Sequence, residues 1–352
     1  MTPPLRILIA TDAWKPQTNG VVTAIEEIKK ECEKRGYLVE VLHPELGFWG
    51  IPAPGDPEVK LPFFAYSKIA RMIRDFKPDA VHIASIAVIS SHVRKYCLKH
   101  KIPFTLSYHS QFPEYLTERV PFIPPSVGYV FMRRFYNAGE STFVSTESMR
   151  ARLEKYGLKN LKIWPLGVDL ERFHPRMRDF SGKNIFADFE KPIWLNVGRL
   201  FVEKNVEAFF KLDLPGTKVS IGYGPLMKSL KSTYKDVKFL GPRYGDDLPR
   251  AMADADVFVF PSLTDTLGLV NLEALASGTP IAAFPATGPI DILGSSNAGA
   301  MDDDLKIACE KALTLSRQGA RAHAEIFSWK SSADVFLSLQ RYLTPEEKQR
   351  LT

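Results

Sequence analysis

Two basic side chains, Arg199 and Lys204, stand five positions apart in the segment Asn196-Val197-Gly198-Arg199-Leu200-Phe201-Val202-Glu203-Lys204-Asn205, directly after the apolar run 193–197. The run reads as a buried strand, so both cations leave one sheet edge close together. Two fixed cations in that place can neutralise a departing diphosphate without a metal, because they meet charge as it develops. The plainer alternative is a pair of surface cations satisfied by Glu203 or a neighbour. A second constellation lies at Pro261-Ser262-Leu263-Thr264-Asp265-Thr266-Leu267-Gly268-Leu269-Val270-Asn271-Leu272-Glu273-Ala274, after the strand-like run 257–260. If Gly268 opens a helix, Asp265 sits in the loop before it and Glu273 about a turn and a half inside. Asp265 and the backbone amides of Leu267, Gly268 and Leu269 can then contact a sugar, while Glu273 accepts hydrogen bonds from ribose hydroxyls. Glu273 taken alone is equally an ordinary helix carboxylate.

A third loop, Thr11 to Val21, joins the first strand to the first helix and contains Gly20. A glycine there lets backbone N–H groups at a helix N-terminus approach an anion; an ordinary strand-to-helix turn needs nothing more. The loop holds no G-x-G-x-x-G, which argues against a dinucleotide oxidoreductase.

These loops require strands and helices in alternation. Apolar runs predict strands at 5–10, 39–42, 80–84, 104–108, 143–145 and 161–164, with helices over 21–35, 66–76 and 89–100 in the first half. The second half repeats the pattern, with strands at 193–197, 218–221, 238–240, 257–260 and 280–283. Strands alternating with helices indicate an α/β protein with parallel sheets covered on both faces, and ligands at the strand carboxyl ends. The turn-rich stretch from Pro165 to Pro175 suits a linker. The expected domains are 1–168 and 169–328. A terminal segment, 329–352, opens with a helix over 329–343 that either crosses back to the first domain or caps the second.

Composition agrees with two domains: 352 residues, 45% hydrophobic and 24% charged. No run approaches the length of a membrane span. Cys32, Cys97 and Cys309 lack zinc or disulfide spacing and read as buried thiols in a reducing cytoplasm. The formal charge of +6 is unevenly placed, since residues 1–170 hold 23 Lys and Arg against 17 Asp and Glu. Lys68, Arg71, Arg74 and Lys77, then Arg94, Lys95, Lys99 and Lys101, concentrate it near the apolar stretches Phe48-Trp49, Phe63-Phe64 and 120–125. Basic charge beside exposed aromatics suits a protein lying on anionic lipid; a solvated face over a core filled by those aromatics is the alternative. No recognisable nucleic-acid module accompanies the patch.

Gly198-Arg199-Leu200-x-x-Glu203-Lys204-Asn205 followed by Asp265-Thr266-Leu267-Gly268-Leu269-Val270-x-Leu272-Glu273-Ala274 resembles the retaining glycosyltransferases of family 4. The likeness extends over nearly the whole chain, through Gly20, Ser107-Tyr108-His109, Gly167-Val168-Asp169 and Phe327-Ser328-Trp329. It implies the GT-B fold, two Rossmann-like doubly wound parallel-sheet domains facing each other across a cleft. It also implies that Gly198, Arg199 and Lys204 hold the diphosphate of a nucleotide-sugar and Glu273 its ribose. Asp265 with the amides of Leu267, Gly268 and Leu269 would hold the sugar, Gly20 would approach the phosphate, and His109 would face the transferred sugar. A strand-end histidine is also commonly a structural one. No cofactor or metal is implied, and the nucleotide-sugar is a substrate. Among such enzymes the chain is similar to sulfoquinovosyl-, glucosyl- and glucuronosyl-diacylglycerol synthases and to bacterial α-mannosyltransferases. The resemblance therefore implies hexose transfer from UDP-glucose or UDP-glucuronate to diacylglycerol by a cytoplasmic enzyme peripheral on the inner face of the plasma membrane. The alternatives are a GDP-mannose-dependent enzyme, a soluble sugar acceptor, or a nucleotide-sugar-binding protein without catalysis. Two departures stand out: the first acidic position of the family's Glu-x7-Glu is Asp265, and its Gly-Asp/Ser-Gly-Pro turn reads Gly222-Tyr223-Gly224-Pro225. The segment between Lys204 and Gly222 is also short, with room for one abbreviated helix.

Overall fold

The computed structural model describes residues 3–17, 19–53, 56–62, 65–109, 125–179, 181 and 184–351. Among these, residues up to 165 together with 329–351 form one compact unit, and 166–328 form a second.

The first unit contains β1 (Arg6–Ala10), α1 (Gly20–Lys34), β2 (Leu38–Leu42), a hairpin of β3 (Ile51–Ala53) and β4 (Asp56–Leu61), and α2 (Tyr66–Phe76). It continues through β5 (Ala80–Ile83), α3 (Val88–His100), β6 (Thr105–Tyr108), α4 (Pro125–Tyr136), β7 (Ser141–Val144), α5 (Glu147–Lys155) and β8 (Leu161–Ile163). Six strands pair in parallel in the order β2-β1-β5-β6-β7-β8. Both faces are covered, which is why β1, β5, β6 and β7 are buried along nearly their whole length. Right-handed crossovers put α1 on one face and α2 to α5 on the other.

The second unit repeats the plan with β9 (Ile193–Val197), α6 (Val206–Phe210), β10 (Thr217–Ile221), α7 (Met227–Thr233), β11 (Val237–Gly241), α8 (Asp247–Asp254) and β12 (Val257–Phe260). After them come α9 (Leu269–Ala276), β13 (Ile281–Ala283), α10 (Pro289–Leu293), β14 (Gly299–Met301), α11 (Leu305–Leu313) and α12 (Arg317–Ala324). Its parallel order is β11-β10-β9-β12-β13-β14. Two doubly wound sheets are therefore present, as the alternating pattern implies. The sequence reading lacks β14, whose Gly-Ala-Met has no apolar run and lies half-buried at the sheet edge. It also lacks the β3–β4 hairpin.

Residues 329–351 belong to the first unit. There α13 (Trp329–Leu339) ends four residues before the expected Leu343, and a short α14 (Pro345–Gln349) follows. α13 packs on α1. Trp164 donates its indole N–H to the Ser332 carbonyl at 3.1 Å and hydroxyl at 3.0 Å, and the Phe336 ring lies 5.1 Å from that of Trp164. Phe336 also packs edge-on to His82, a buried β5 histidine set between Thr105 Oγ1 at 2.8 Å and Ser107 Oγ at 2.6 Å. Thr105 donates its hydroxyl to Gln340 Oε1 at 3.0 Å, so it accepts from His82 Nδ1–H, and Nε2 accepts from Ser107. Burial holds this imidazole neutral, its pKa well below the usual value.

The three cysteines are free and buried, and burial pushes each thiol up to about 12. Of the aromatic stretches, Trp49 is 70% exposed while Phe48 packs against the core beneath Lys68. Phe63-Phe64 and 120–124 lie outside the described residues. No helix among the described residues is long and apolar enough to cross a membrane.

Candidate active site

In the second sheet the winding direction reverses between β9 and β12, which are neighbours though far apart in sequence. Loops leaving such a switch point diverge and open a crevice at the strand carboxyl ends. The two constellations of the second half are the loops that leave it.

Close packing shapes the first loop. Gly198 N–H donates to the Ile221 carbonyl and Leu200 N–H to the Tyr223 carbonyl, both at 3.0 Å. A Cβ at Gly222 would collide with the Gly198 carbonyl and one at Gly224 with the Leu200 carbonyl, and Gly222 holds φ +145°. The turn 222–225 thus needs its two glycines to press against the Arg199 loop, while Tyr223 between them points outward, 65% exposed. That explains why this position differs from the family's Asp or Ser without disturbing the turn. The abbreviated α6 follows; the carbonyls at and just beyond its end are taken by buried Lys218, whose Nζ donates to Phe210 O at 2.6 Å and Leu212 O at 2.7 Å and pairs with Asp236.

Two hydrogen bonds sew the loops together. Asn205, at φ +49° after a 3-10 turn over Val202–Lys204, donates its side-chain amide to the Pro261 carbonyl at 3.1 Å. Thr264 donates its hydroxyl to the Glu203 carbonyl at 2.9 Å. The result places Lys204 Nζ 2.5 Å from Asp265 Oδ1, with the two side chains only 22% and 15% exposed. Lys204 therefore pairs across the crevice with Asp265, whereas Glu203 is buried beneath the loop. Arg199 is exposed, its guanidinium 4.6 Å from the Phe201 ring centroid.

Gly268 is the N-cap of α9 at φ +78°, where it adds no side-chain cap; a Cβ would lie 2.8 Å from the Phe260 ring and from the Asn271 amide. Leu267 and Leu269 flank it, so the first-turn N–H groups of α9 face an uncapped helix start. Glu273 is half-buried one turn on, and its carboxylate makes no hydrogen bond or ion pair among the described residues. Dehydration by the surrounding protein pushes its pKa up to about 7, opposed by the positive charge of Arg172. Arg172 is a residue that spacing alone does not mark: it leaves the linker and donates to the Gly245 carbonyl, beyond β11, at 3.1 Å.

Gly20 and His109 belong to the first unit. Gly20 opens α1, but the Asn19 side chain already accepts from Val21 N at 3.0 Å and Val22 N at 3.1 Å, so those two amides are occupied. Asp12, on the same loop, is buried and accepts from Ser85 Oγ at 2.7 Å, Ile89 N at 2.6 Å and Ala87 N at 3.1 Å. It thereby ties the loops after β1 and β5 together across the first sheet's own switch point. His109 directly follows β6 and lies edge-on to Trp164, and burial lowers its pKa to about 4, so the imidazole is neutral at physiological pH.

Two family models match the chain: Glycosyltransferase Family 4 over residues 18–172, and Glycosyl transferases group 1 over residues 191–317. The sulfoquinovosyl transferase SQD2 of Arabidopsis thaliana is 31% identical over 72% of this chain and 52% of the plant protein, about half its length. A GDP-mannose-dependent alpha-mannosyltransferase of Mycobacterium tuberculosis is 27% identical over 84% and 83% of the two chains. An alpha-monoglucosyldiacylglycerol synthase of Streptococcus pneumoniae is 26% identical over 79% and 71%. Among solved structures, a sucrose-phosphate synthase from Thermosynechococcus elongatus superposes with a TM-score of 0.74 at 17% identity, covering 95% of this chain and 98% of that one. This likeness establishes a common GT-B fold.

Proposed function

Because the chain belongs to the family 4 glycosyltransferases, we propose that it moves a hexose, with retention, from a UDP-sugar to a lipid acceptor, with UDP-glucose or UDP-glucuronate as donor and diacylglycerol as acceptor. The observation that carries the donor half is the pairing of Lys204 with Asp265 on two loops at the switch point, with Glu273 one turn further on. Lys204 and Arg199 meet the diphosphate, Glu273 accepts from the ribose hydroxyls, and Asp265 with the amides of Leu267, Gly268 and Leu269 holds the sugar. As the glycosidic bond breaks, negative charge grows on the diphosphate; the acceptor hydroxyl approaches on the same face and a diphosphate oxygen takes its proton. In this reading the two cations do what a metal would otherwise do, and each is worth about 3–4 kcal/mol in the transition state. His109, neutral at working pH, faces the transferred sugar as a hydrogen-bonding group.

The acceptor half rests on kinship with SQD2 and the monoglucosyldiacylglycerol synthase, and on the basic first unit. A lipid acceptor places the enzyme on the inner face of the plasma membrane, drawn there by cations worth about 1 kcal/mol each near an anionic surface. Kinship with the GDP-mannose-dependent enzymes, over more of both chains, supports a second reading with a mannosyl donor. Thermal stabilisation by a panel of UDP- and GDP-sugars, followed by product analysis with diacylglycerol, tests both. Stabilisation by a UDP-hexose and a glycosyl-diacylglycerol product support the first; stabilisation by GDP-mannose alone replaces it with the second.

A further inference from the structure

Helix α4 presents an unusual outer face. Val127 and Val130 are each 57% exposed and Phe131 is 53% exposed, while Tyr129, Met132, Phe135 and Tyr136 on the other side are buried in the core. Positions 127, 130, 131 and 134 follow the i, i+3, i+4, i+7 spacing of one helical stripe, so three apolar side chains line up and Arg134 ends the row. The inner side needs no further partner, and an outward apolar row of this kind marks a contact surface.

The surroundings say what kind. Because α2, α3 and α4 are successive crossovers in one direction, they lie on the same face of the first sheet. Their solvent sides carry Arg71, Arg74, Lys95, Lys99 and Arg134, all exposed, against a single exposed carboxylate on these three helices, Asp75. α4 is held rigidly in this layer, since Arg94 of α3 donates to the Phe135 carbonyl at 3.1 Å and the Arg134 carbonyl at 2.7 Å. In a parallel α/β layer the helices run opposite to the strands, so the apolar first turns of α4 sit at the strand carboxyl ends, where ligands of such a sheet bind. An apolar row amid a positive field matches an anionic lipid surface: the cations attract headgroups and the row enters the acyl boundary.

We propose that α4 is an insertion helix, with Val127, Val130 and Phe131 entering an anionic bilayer beside the cations of α2 and α3. This rests on the lipid-acceptor reading and adds the element that makes the contact. Electrostatic attraction is screened by salt while apolar insertion is not, so the two contributions separate experimentally.

The test is co-sedimentation of the full chain with phosphatidylglycerol-containing vesicles and with phosphatidylcholine vesicles, at about 0.1 M and 0.5 M salt. The wild type is compared with Val127→Ser/Val130→Ser/Phe131→Ser and with Arg71→Gln/Lys95→Gln. The expected wild-type result is binding to anionic vesicles that is weakened but not abolished by salt. The apolar triple variant should bind at least about tenfold more weakly and lose the salt-resistant part entirely. Each cation removed should cost about fivefold at low salt and little at high salt. All three apolar positions are exposed, so the variant should keep its far-UV circular dichroism and melting temperature. Wild-type affinity in the triple variant, or no wild-type binding to either vesicle, overturns the proposal. A concentration-dependent dimer in the wild type that the triple variant abolishes, without vesicle binding, would instead make the stripe a self-association face. Transfer to short-chain diacylglycerol dispersed in water is measured alongside: its absence in the wild type removes the acceptor reading, whatever the vesicles show.

Discussion

Lys204 Nζ and Asp265 Oδ1 meet at 2.5 Å between two loops whose residues lie 61 positions apart. The contact sets the lysine proposed here for phosphate against the carboxylate proposed for sugar, so the two charges neutralise each other. A nucleotide-sugar bound as proposed would exchange this pair for its own groups, diphosphate against Lys204 and sugar hydroxyls against Asp265. Asp265 reaches Lys204 despite a side chain one methylene shorter than the family's Glu.

Replacing either cation tests the chemistry. Lys204→Ala and Arg199→Ala should each lower kcat by roughly a hundred- to thousand-fold while the protein remains folded. Steady-state kinetics with circular dichroism checks this. Near-normal turnover in both variants would remove the assigned roles. Lys204→Ala should also lower the melting temperature more than Arg199→Ala, because it strands a largely buried carboxylate.

Glu273 should make donor binding depend on pH. Its folded pKa of about 7 lies above the ordinary carboxylate value of 4.5, so ionisation opposes folding as pH rises through that interval, and the destabilisation is complete above it. Ribose hydroxyls donate more strongly to the ionised form, so a ribose bound at Glu273 as proposed favours release of a proton below pH 7. Donor affinity should rise by up to about tenfold per pH unit below 7 and level off above it. Glu273→Gln should bind donor weakly with a flat pH profile, and should melt higher than the wild type at pH 8 but not at pH 5. Calorimetry in buffers of different ionisation enthalpy reads the released proton. His109, neutral above about pH 4, should add no inflection near neutrality.

The turn behind Arg199 gives a paired prediction. Gly222→Ala forces a Cβ into the Gly198 carbonyl at a positive φ, so it should destabilise by about 2–4 kcal/mol and displace the Arg199 loop. Tyr223→Ser, one residue away, should stay within about 0.5 kcal/mol of wild type. Denaturant melts of both variants decide whether the glycines or the residue between them is the constrained feature.

Phe336→Ala should cost about 3–5 kcal/mol by opening a cavity against His82, Phe143 and Trp164. Its loss should appear in unfolding of the first unit, followed by near-UV signals from Trp164.

Much of this was legible in the sequence. The buried parallel strands announce themselves as apolar runs, and the two constellations read from the sequence fall on the loops after β9 and β12, at the switch point where such sheets bind ligands. What spacing could not supply was pairing at a distance. Nothing in the sequence places Lys204 against Asp265, Arg172 near Glu273, or Asp12 on the start of α3. Such contacts depend on the strand order, which brings β9 beside β12 and β1 beside β5. Short edge elements were also missed: β14 is three small residues that bury little. The exposed row of α4 escaped notice because the same apolar letters spell a buried helix until burial is known.

The placement of α13 and α14 also bears on how the protein is made. A ribosome synthesises the whole second unit before residues 329–351 exist, so Trp164, Phe143 and His82 wait without their final cover, the Phe336 ring, while the strands of another sheet are made. The first unit begins first and closes last. During synthesis its apolar face is a target for chaperones, and a message broken just before residue 329 would yield a finished second unit joined to an unsealed first one.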